Sequence, residues 1–249
     1  MHRFYLNEEN SLGADDVIRL TGESYNHIKN VLRLSVGDEL LVGDGNGKDY
    51  ACSILSLEQE VCLAKVTDYF DNAAELPVRI TLYQGVPKGD KLELVIQKAC
   101  ELGAETIVPV MMKRTIVKLD VKKADKKTER YNKIAESAAK QCGRGVIPKV
   151  REFMSFEAAL ADAGTLDRVF IPYEDARGME AARDEVRALK NDGVKSLGIF
   201  IGPEGGFAAE EIELAKEAGG RILSLGNRIL RTETAGLAML SILGFYLDT

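Results

Sequence analysis

Histidine is scarce in this sequence: its 249 residues include only His2 and His27, both near the N-terminus. Hydrolase triads and histidine-rich metal centres therefore have almost nothing to build on. The four cysteines, Cys52, Cys62, Cys100 and Cys142, form no C-x-x-C pair and have no histidine beside them, so no zinc or other metal is expected. Cys52 and Cys62 fall in strand-like alternation and read as small buried hydrophobes. Long apolar runs are missing as well. None approaches the roughly 20 residues of a membrane span, and Met1 to Asn10 carries Arg3, Glu8 and Glu9 where a signal peptide has an apolar centre. A soluble, cytoplasmic protein is expected.

What is present is enough apolar sequence for a sizeable core. At this length, 45% hydrophobic and 29% charged residues point to two domains. A net charge of -6 argues against indiscriminate affinity for nucleic acid. The charge is unevenly spread, however: residues 1–72 hold 6 Lys/Arg against 13 Asp/Glu, whereas residues 113–151 hold 13 against 4. That cationic stretch includes Lys113, Arg114, Lys118, Lys122, Lys123, Lys126 and Lys127. It reads either as a solvated helix face or as a surface that meets phosphates.

Along the chain, a short strand "HRFYL" precedes "GESYNHIKNVLRL", where Tyr25, Ile28, Val31 and Leu32 stand at helical spacing. "DELLV" and "DYACSIL" flank the turn residues "GDGNGK", and "QEVCLAKVTDYF" resumes the alternation after a polar turn at Leu57 to Glu60. The first 72 residues thus read as a small, mostly β barrel, with "DNAAELP", residues 71–77, as linker. From Val78 strands and helices alternate. "VRITLYQGV", "TIVPVMM", "DRVFIPYE", "KSLGIFIG" and "RILSLG" read as strands. "KLELVIQKACELG", a stretch from about Lys126 to Cys142, "AAEEIELAKEAG" and "TAGLAMLSILGFYL" read as helices. This is the pattern of a parallel sheet with helices on its faces, whose ligands bind beyond the carboxyl ends of the strands.

Two glycine-bearing segments fall at such ends. In "IGPEGGF" glycine lets backbone approach a ligand closely, Pro203 fixes one φ and Glu204 adds the only charge. A carboxylate there, with no lysine adjacent in the loop, fits a neutral or cationic ligand better than a phosphate; a plain structural turn is the alternative. "LGNRILRTETA" follows the next strand and leads into an apolar helix, with Thr232 and Glu233 also explicable as N-cap and first-turn residues. By contrast "ELLVGDGNG" is followed by a strand rather than a helix, so its glycines belong to a hairpin and not to a nucleotide loop.

In combination, "GPEGGF" and "LGNRILRTETA", with "KGDKLELVIQKACELGA", "QCGRGVIPKV", "RFYL", "HIKNVLRL" and "GDELLVGDG", resemble the RsmE family of bacterial 16S rRNA methyltransferases, members of the SPOUT class, over essentially the whole chain. The resemblance implies an α/β fold: a PUA-like, RNA-binding β-barrel domain over residues 1–72, and a SPOUT methyltransferase domain over residues 73–249 with a parallel sheet and a deep trefoil knot. It implies S-adenosylmethionine as cofactor, held by Ile201, Gly202, Pro203, Glu204, Gly205 and Gly206 of the first loop. Leu225, Gly226, Arg228, Ile229, Leu230, Thr232 and Ala235 of the second would hold it too, with Pro172 as a third wall.

The implied reaction is methylation at N3 of a uridine near the 3′ end of 16S rRNA. Arg231 would orient the uracil and stabilise its developing charge, while Glu233 would hold Arg231, accept a proton, or merely cap its helix. Arg3, Arg33, Lys113, Arg114 and Arg144 are the implied RNA contacts. A homodimer is implied as well, and "LAMLSILGFYL" reads either as its isologous contact or as an internal core helix. Two rivals remain: an oxidoreductase, for which a G-x-G-x-x-G loop with its acidic partner is missing, and a noncatalytic RNA-binding ribosome assembly factor.

Overall fold

The computed structural model describes residues 1–7, 9–117, 121–176 and 178–248, without the side chains of residues 14 and 121–123. The chain divides into two compact units, Met1–Glu75 with Ala139–Ile147, and Leu76–Ala138 with Pro148–Thr249.

The small unit is a curled six-stranded sheet of β1 (His2–Tyr5), β2 (Ser11–Leu12), β3 (Val17–Leu20), β4 (Glu39–Gly43), β5 (Lys48–Glu58) and β6 (Val61–Asp71). Its order is β1-β4-β5-β6-β3-β2, so β1 and β2 are open ends and the expected barrel is a half-barrel. Only β1 and β4 pair in parallel. β5 runs on to Glu58, and the hairpin turns on Gln59 and Glu60 alone, both at positive φ. Alternation along these strands sends Leu40, Val42, Cys52, Ile54, Cys62 and Ala64 into one core. Burial pushes the Cys52 and Cys62 thiols up to about 12 and about 11, as inert core cysteines require. α1 (Gly22–Asn26) and a π-type turn (His27–Val31) add Tyr25 and Ile28 to that core, whereas Val31 is exposed despite its spacing.

Residues 139–147 join this unit although they lie in the middle of the sequence assigned to the second domain. The cause is one carboxylate. Glu75 accepts from the Arg144 guanidinium at 2.6 Å and from the amides of Gly145 and Val146 at 3.0 Å each. Asn72 adds a bond to the Gly143 carbonyl, and the Tyr5 hydroxyl donates to the Arg144 carbonyl at 2.5 Å.

The large unit carries an all-parallel sheet of β7 (Arg79–Gly85), β8 (Ala104–Met111), β9 (Lys149–Val150), β10 (Met154–Ser155), β11 (Arg168–Pro172), β12 (Ser196–Ile201) and β13 (Arg221–Leu223), in the order β10-β8-β7-β12-β11-β13 with β9 also on β8. One face is covered by α2 (Lys91–Glu101), α3 (Val121–Cys142), α5 (Met179–Asn191) and α7 (Thr232–Leu247). The other is covered by α4 (Phe156–Ala163) and α6 (Ala209–Glu217). A strand buried on both faces loses its polar alternation, which is why all six residues of β12 are buried and apolar or small. Ile199 and Ile201 face the first layer, while Phe200 faces the second, stacked on Tyr83 at 4.4 Å between centroids and edge-on to Phe156 at 5.8 Å.

Several elements were not foreseen. α3 begins five residues before the expected Lys126. α5 was missed because its sequence, MEAARDEVRALKN, is mostly charged and buries only Ala182, Val186 and Leu189. α4 is a two-turn helix started by Ser155, whose hydroxyl accepts from the Ala158 amide at 3.2 Å. α7 packs Met239, Leu240, Leu243 and Leu247 into the core, as the internal-helix reading expects, and leaves Phe245 92% exposed. Among the described residues no helix is long and apolar enough to cross a membrane.

Phe200→Ala removes a fully buried ring from the second layer. A loss of about 3–5 kcal/mol is expected, read as a lower urea midpoint at unchanged slope.

Candidate active site

The carboxyl ends of β11, β12 and β13 lie side by side because the three strands are parallel neighbours, and the loops leaving them enclose a cavity of about 570 Å³. Volumes of about 300–1,000 Å³ are usual for small-molecule sites. Pro172 enters from β11, and Ile201, Gly202, Pro203, Glu204 and Gly206 from the end of β12. The stretch before and into α7 contributes Leu225, Gly226, Arg228, Ile229, Leu230, Arg231, Thr232 and Ala235. Of the cofactor residues implied by the resemblance, Gly205 alone does not line the cavity. It turns away, and its carbonyl accepts from Arg114 at 2.9 Å.

Close backbone packing shapes this wall. The Gly206 amide closes a turn onto the Pro203 carbonyl at 2.9 Å, with Gly206 at φ +67, where other side chains are strained. Below the turn, a β-carbon on Gly85 would sit 2.5 Å from the Pro203 nitrogen, so β7 can run under the loop only with glycine there. Thr232 fastens α7 to the same place. Its hydroxyl donates to the Gly202 carbonyl at 2.6 Å and accepts from Gln84 Nε2 at 2.8 Å. The expected N-cap role falls instead to Arg231, and Thr232 is the first helical residue.

Lys91, Tyr173, Glu174, Asp175, Phe207 and Asn227 also line the cavity and were not named from the sequence. Phe207 and Asn227 belong to the two glycine-bearing loops and Tyr173, Glu174 and Asp175 directly follow Pro172, whereas nothing in the local sequence ties Lys91 to the cavity. Lys91 overturns one expectation directly: the loop that lacked a lysine in sequence has one in space, with Nζ 3.1 Å from Glu204 Oε1. Partial burial opposes ionisation of Glu204, but the Lys88 amide, its own amide and the Lys91 ammonium outweigh it and hold the carboxyl below its usual range. Glu233, expected to hold Arg231, has its ion pair with Lys91 at 3.5 Å, and its Oε2 is buried without a hydrogen-bond partner. Arg228 and Arg231 are exposed at the rim. Tyr173 donates to Asp175 at 2.9 Å, which raises the tyrosine above its ordinary pKa.

The RNA residues implied by the resemblance separate sharply. Arg3 is held in a two-pronged pair by Asp49 at 2.6 and 2.7 Å and is 9% exposed; Arg144 is 3% exposed against Glu75. Both are internal struts of the small unit and present no guanidinium to RNA. Arg33, Lys113 and Arg114 are exposed. In the cationic stretch Lys126, Lys127, Arg130 and Lys133 are exposed on α3, with Arg130 paired to Glu93 and Lys133 to Glu129. Lys118 and the side chains of Lys122 and Lys123 lie outside the described residues. Among the described residues no group of three or more His, Cys, Asp or Glu could hold a metal ion.

The cavity suits a compact organic molecule with a planar part. Pro172, Ile201, Leu225, Leu230 and Ala235 offer apolar faces. Among the described residues, the backbone amides and carbonyls of 227–230 make no hydrogen bond, so they remain available to a ligand. Glu174, Asp175 and Glu204 in the walls disfavour a phosphate.

Comparison with known proteins agrees. The RNA methyltransferase domain family matches residues 74–244, and the RNA methyltransferase PUA domain family matches residues 20–67. Ribosomal RNA small subunit methyltransferase E of Bacillus subtilis is 39% identical over 228 residues, covering 91% of this chain and 89% of its own. The crystal structure of a ribosomal RNA small subunit methyltransferase E from Neisseria gonorrhoeae bound to S-adenosyl methionine superposes with a TM-score of 0.82 at 31% identity, over 98% of this chain and 97% of that one. A methyltransferase of Legionella pneumophila in complex with bound cofactor SAM gives 0.81 at 33% identity, over 97% and 96%. With both domain families matched in order and relatives alike over nearly their full length, the chain belongs to the ribosomal RNA small subunit methyltransferase E family.

Proposed function

We propose that this chain methylates N3 of one uridine near the 3′ end of 16S rRNA, with S-adenosylmethionine, the cofactor of its solved relatives, as donor. The observation that carries the reading is the cavity at the ends of β11, β12 and β13, where apolar faces and backbone groups of 227–230 meet beside Glu174, Asp175 and Glu204, carboxylates that disfavour a phosphate. Bound there, the donor supplies an electrophilic methyl on a cationic sulfur. The chain's own task is to align a uracil in line with that methyl and to ease removal of the N3 proton. Arg231, exposed at the rim, sits where its guanidinium can draw the uracil oxygens and stabilise the charge that develops as the N–H bond breaks. Glu233, whose Oε2 faces the Lys91 ammonium at 3.5 Å, is the carboxylate assigned to take that proton. The trefoil threading belongs to the same proposal. After β13 at the sheet edge the chain returns as α7 to pack on α2, β7 and β12 near the sheet centre, so residues 224–231 must cross the strand ends. A crystal structure in which that segment stays outside the neighbouring loops would remove the knot.

RNA recognition is assigned to the exposed cations of the large unit, Lys113, Arg114, Lys126, Lys127 and Lys133, and in the half-barrel to Arg33. A homodimer is proposed through α7, where the exposed Phe245 and Ile242 border a largely apolar cavity of about 500 Å³ between α5 and α7. Such surface is what a second copy would cover.

Three measurements test these assignments. Arg231→Ala should retain donor binding by calorimetry while methyl transfer to small-subunit rRNA, mapped by mass spectrometry, falls by about 10²–10³-fold; parent-like turnover would discard its role, and methylation of any atom other than uridine N3 would discard the specificity. Lys126→Gln with Lys127→Gln should flatten the salt dependence of RNA affinity by roughly 0.7–0.9 for each phosphate that is no longer neutralised, and an unaltered slope would place the RNA elsewhere. Phe245→Glu should turn a dimer into a monomer in sedimentation equilibrium, whereas a parent that is already monomeric contradicts the interface.

A further inference from the structure

Lys91 opens α2, far in sequence from both loops of the cavity, yet its ammonium is the point where they meet. Nζ lies 3.1 Å from Oε1 of Glu204 in the β12 loop and 3.5 Å from Oε2 of Glu233 in the first turn of α7. Glu204 Oε1 also accepts from the Lys88 amide at 3.0 Å, so the start of α2 grips this carboxylate twice. The three side chains are 38%, 28% and 16% exposed, and Lys91 itself lines the cavity. Hydrogen bonding to Glu204, with support from Glu233, raises the ammonium above its ordinary pKa.

This geometry changes what Glu204 does. A carboxylate in a glycine loop at a cavity invites the reading of a counter-charge for a cationic ligand. Here its charge is already engaged by a backbone amide and an ammonium from another element, so it acts as a strut. Without the ammonium, two carboxylates would face each other across the seam between the loops, and like charges push such loops apart. We propose that Lys91 is a positioning residue for methyl transfer: by binding Glu204 and Glu233 together it sets the separation of the two donor-binding loops and the direction of the Glu233 carboxylate. The inference rests on the methyltransferase reading and adds to it a residue that touches neither the methyl nor the uracil.

An ordinary exposed ion pair contributes little and leaves ligand binding alone, so the test must separate the two cases. Donor binding is measured by calorimetry with S-adenosylmethionine, and donor KM and kcat are measured on small-subunit rRNA, for the full-length parent, Lys91→Met, Lys91→Arg, Glu204→Gln and the Lys91→Met/Glu204→Gln double variant. Lys91→Met should weaken donor binding and raise donor KM by about tenfold with a nearly unchanged thermal midpoint. Lys91→Arg should recover most of that loss, and the double variant should be no worse than the poorer single one, since both remove the same tie. Parent-like donor affinity in Lys91→Met, or losses that multiply in the double variant, would overturn the positioning role. A parent that binds no donor at all would instead bring down the methyltransferase reading beneath it.

Discussion

Three stretches of backbone, distant in sequence, meet at the ends of β7 and β12 and at the start of α7, and between β7 and the β12 loop there is no room for a β-carbon. Gly85 lies directly beneath the Gly202-Pro203 peptide, and the Thr232 hydroxyl donates to the Gly202 carbonyl while accepting a hydrogen bond from Gln84 Nε2. Gln84 and Thr232 are both buried, and these bonds pair the Gln84 Nε2 and the Thr232 hydroxyl, while Gln84 Oε1 has no hydrogen-bond partner. The cavity exists because this cluster of close approaches fixes two loops at one height above the sheet. Its apolar lining and free backbone groups are consequences of where the strands stop.

Electrostatics then divides labour among the charged residues. Four carboxylates serve as bracing: Glu75 on Arg144 and two amides, Asp49 on Arg3, Glu204 and Glu233 on Lys91. Buried or half-buried carboxylates of this kind keep their cost low by collecting several donors at once. Enclosing Asp49 against Arg3 removes one charge of each sign, so the acid excess of the first 72 residues is unchanged by that pair. In the large unit, exposed cations lie on the loop after β8 and on α3.

Legibility in the sequence followed burial. Strands β7, β8, β11, β12 and β13 and the helices α2, α6 and α7 announced themselves as apolar runs or clear amphipathic repeats, the two-residue β9 and β10 did not, and the glycine loops stood out because strand and helix flanked them. α5 did not, since three buried positions among thirteen residues leave a pattern too thin to read. The half-barrel was read as closed because alternation reports which face of a strand is buried and says nothing about whether the last strand returns to the first. Arg3 and Arg144 were read as RNA contacts because a lone arginine looks the same in sequence whether its partner is a phosphate or a carboxylate 46 or 69 positions away.

By itself the sequence determined the class of fold, five strands and four helices of the large unit in their order, the two loops of the cavity and the family, because these depend on local periodicity and on motifs that are contiguous. The tertiary structure alone decided that Lys91 belongs to the cavity, that Gly205 does not, that Thr232 ties rather than caps, and that residues 139–147 pack with the half-barrel. Each of these turns on a carboxylate, a carbonyl or a missing side chain meeting a group far along the chain. Spacing in one dimension carries no record of such meetings.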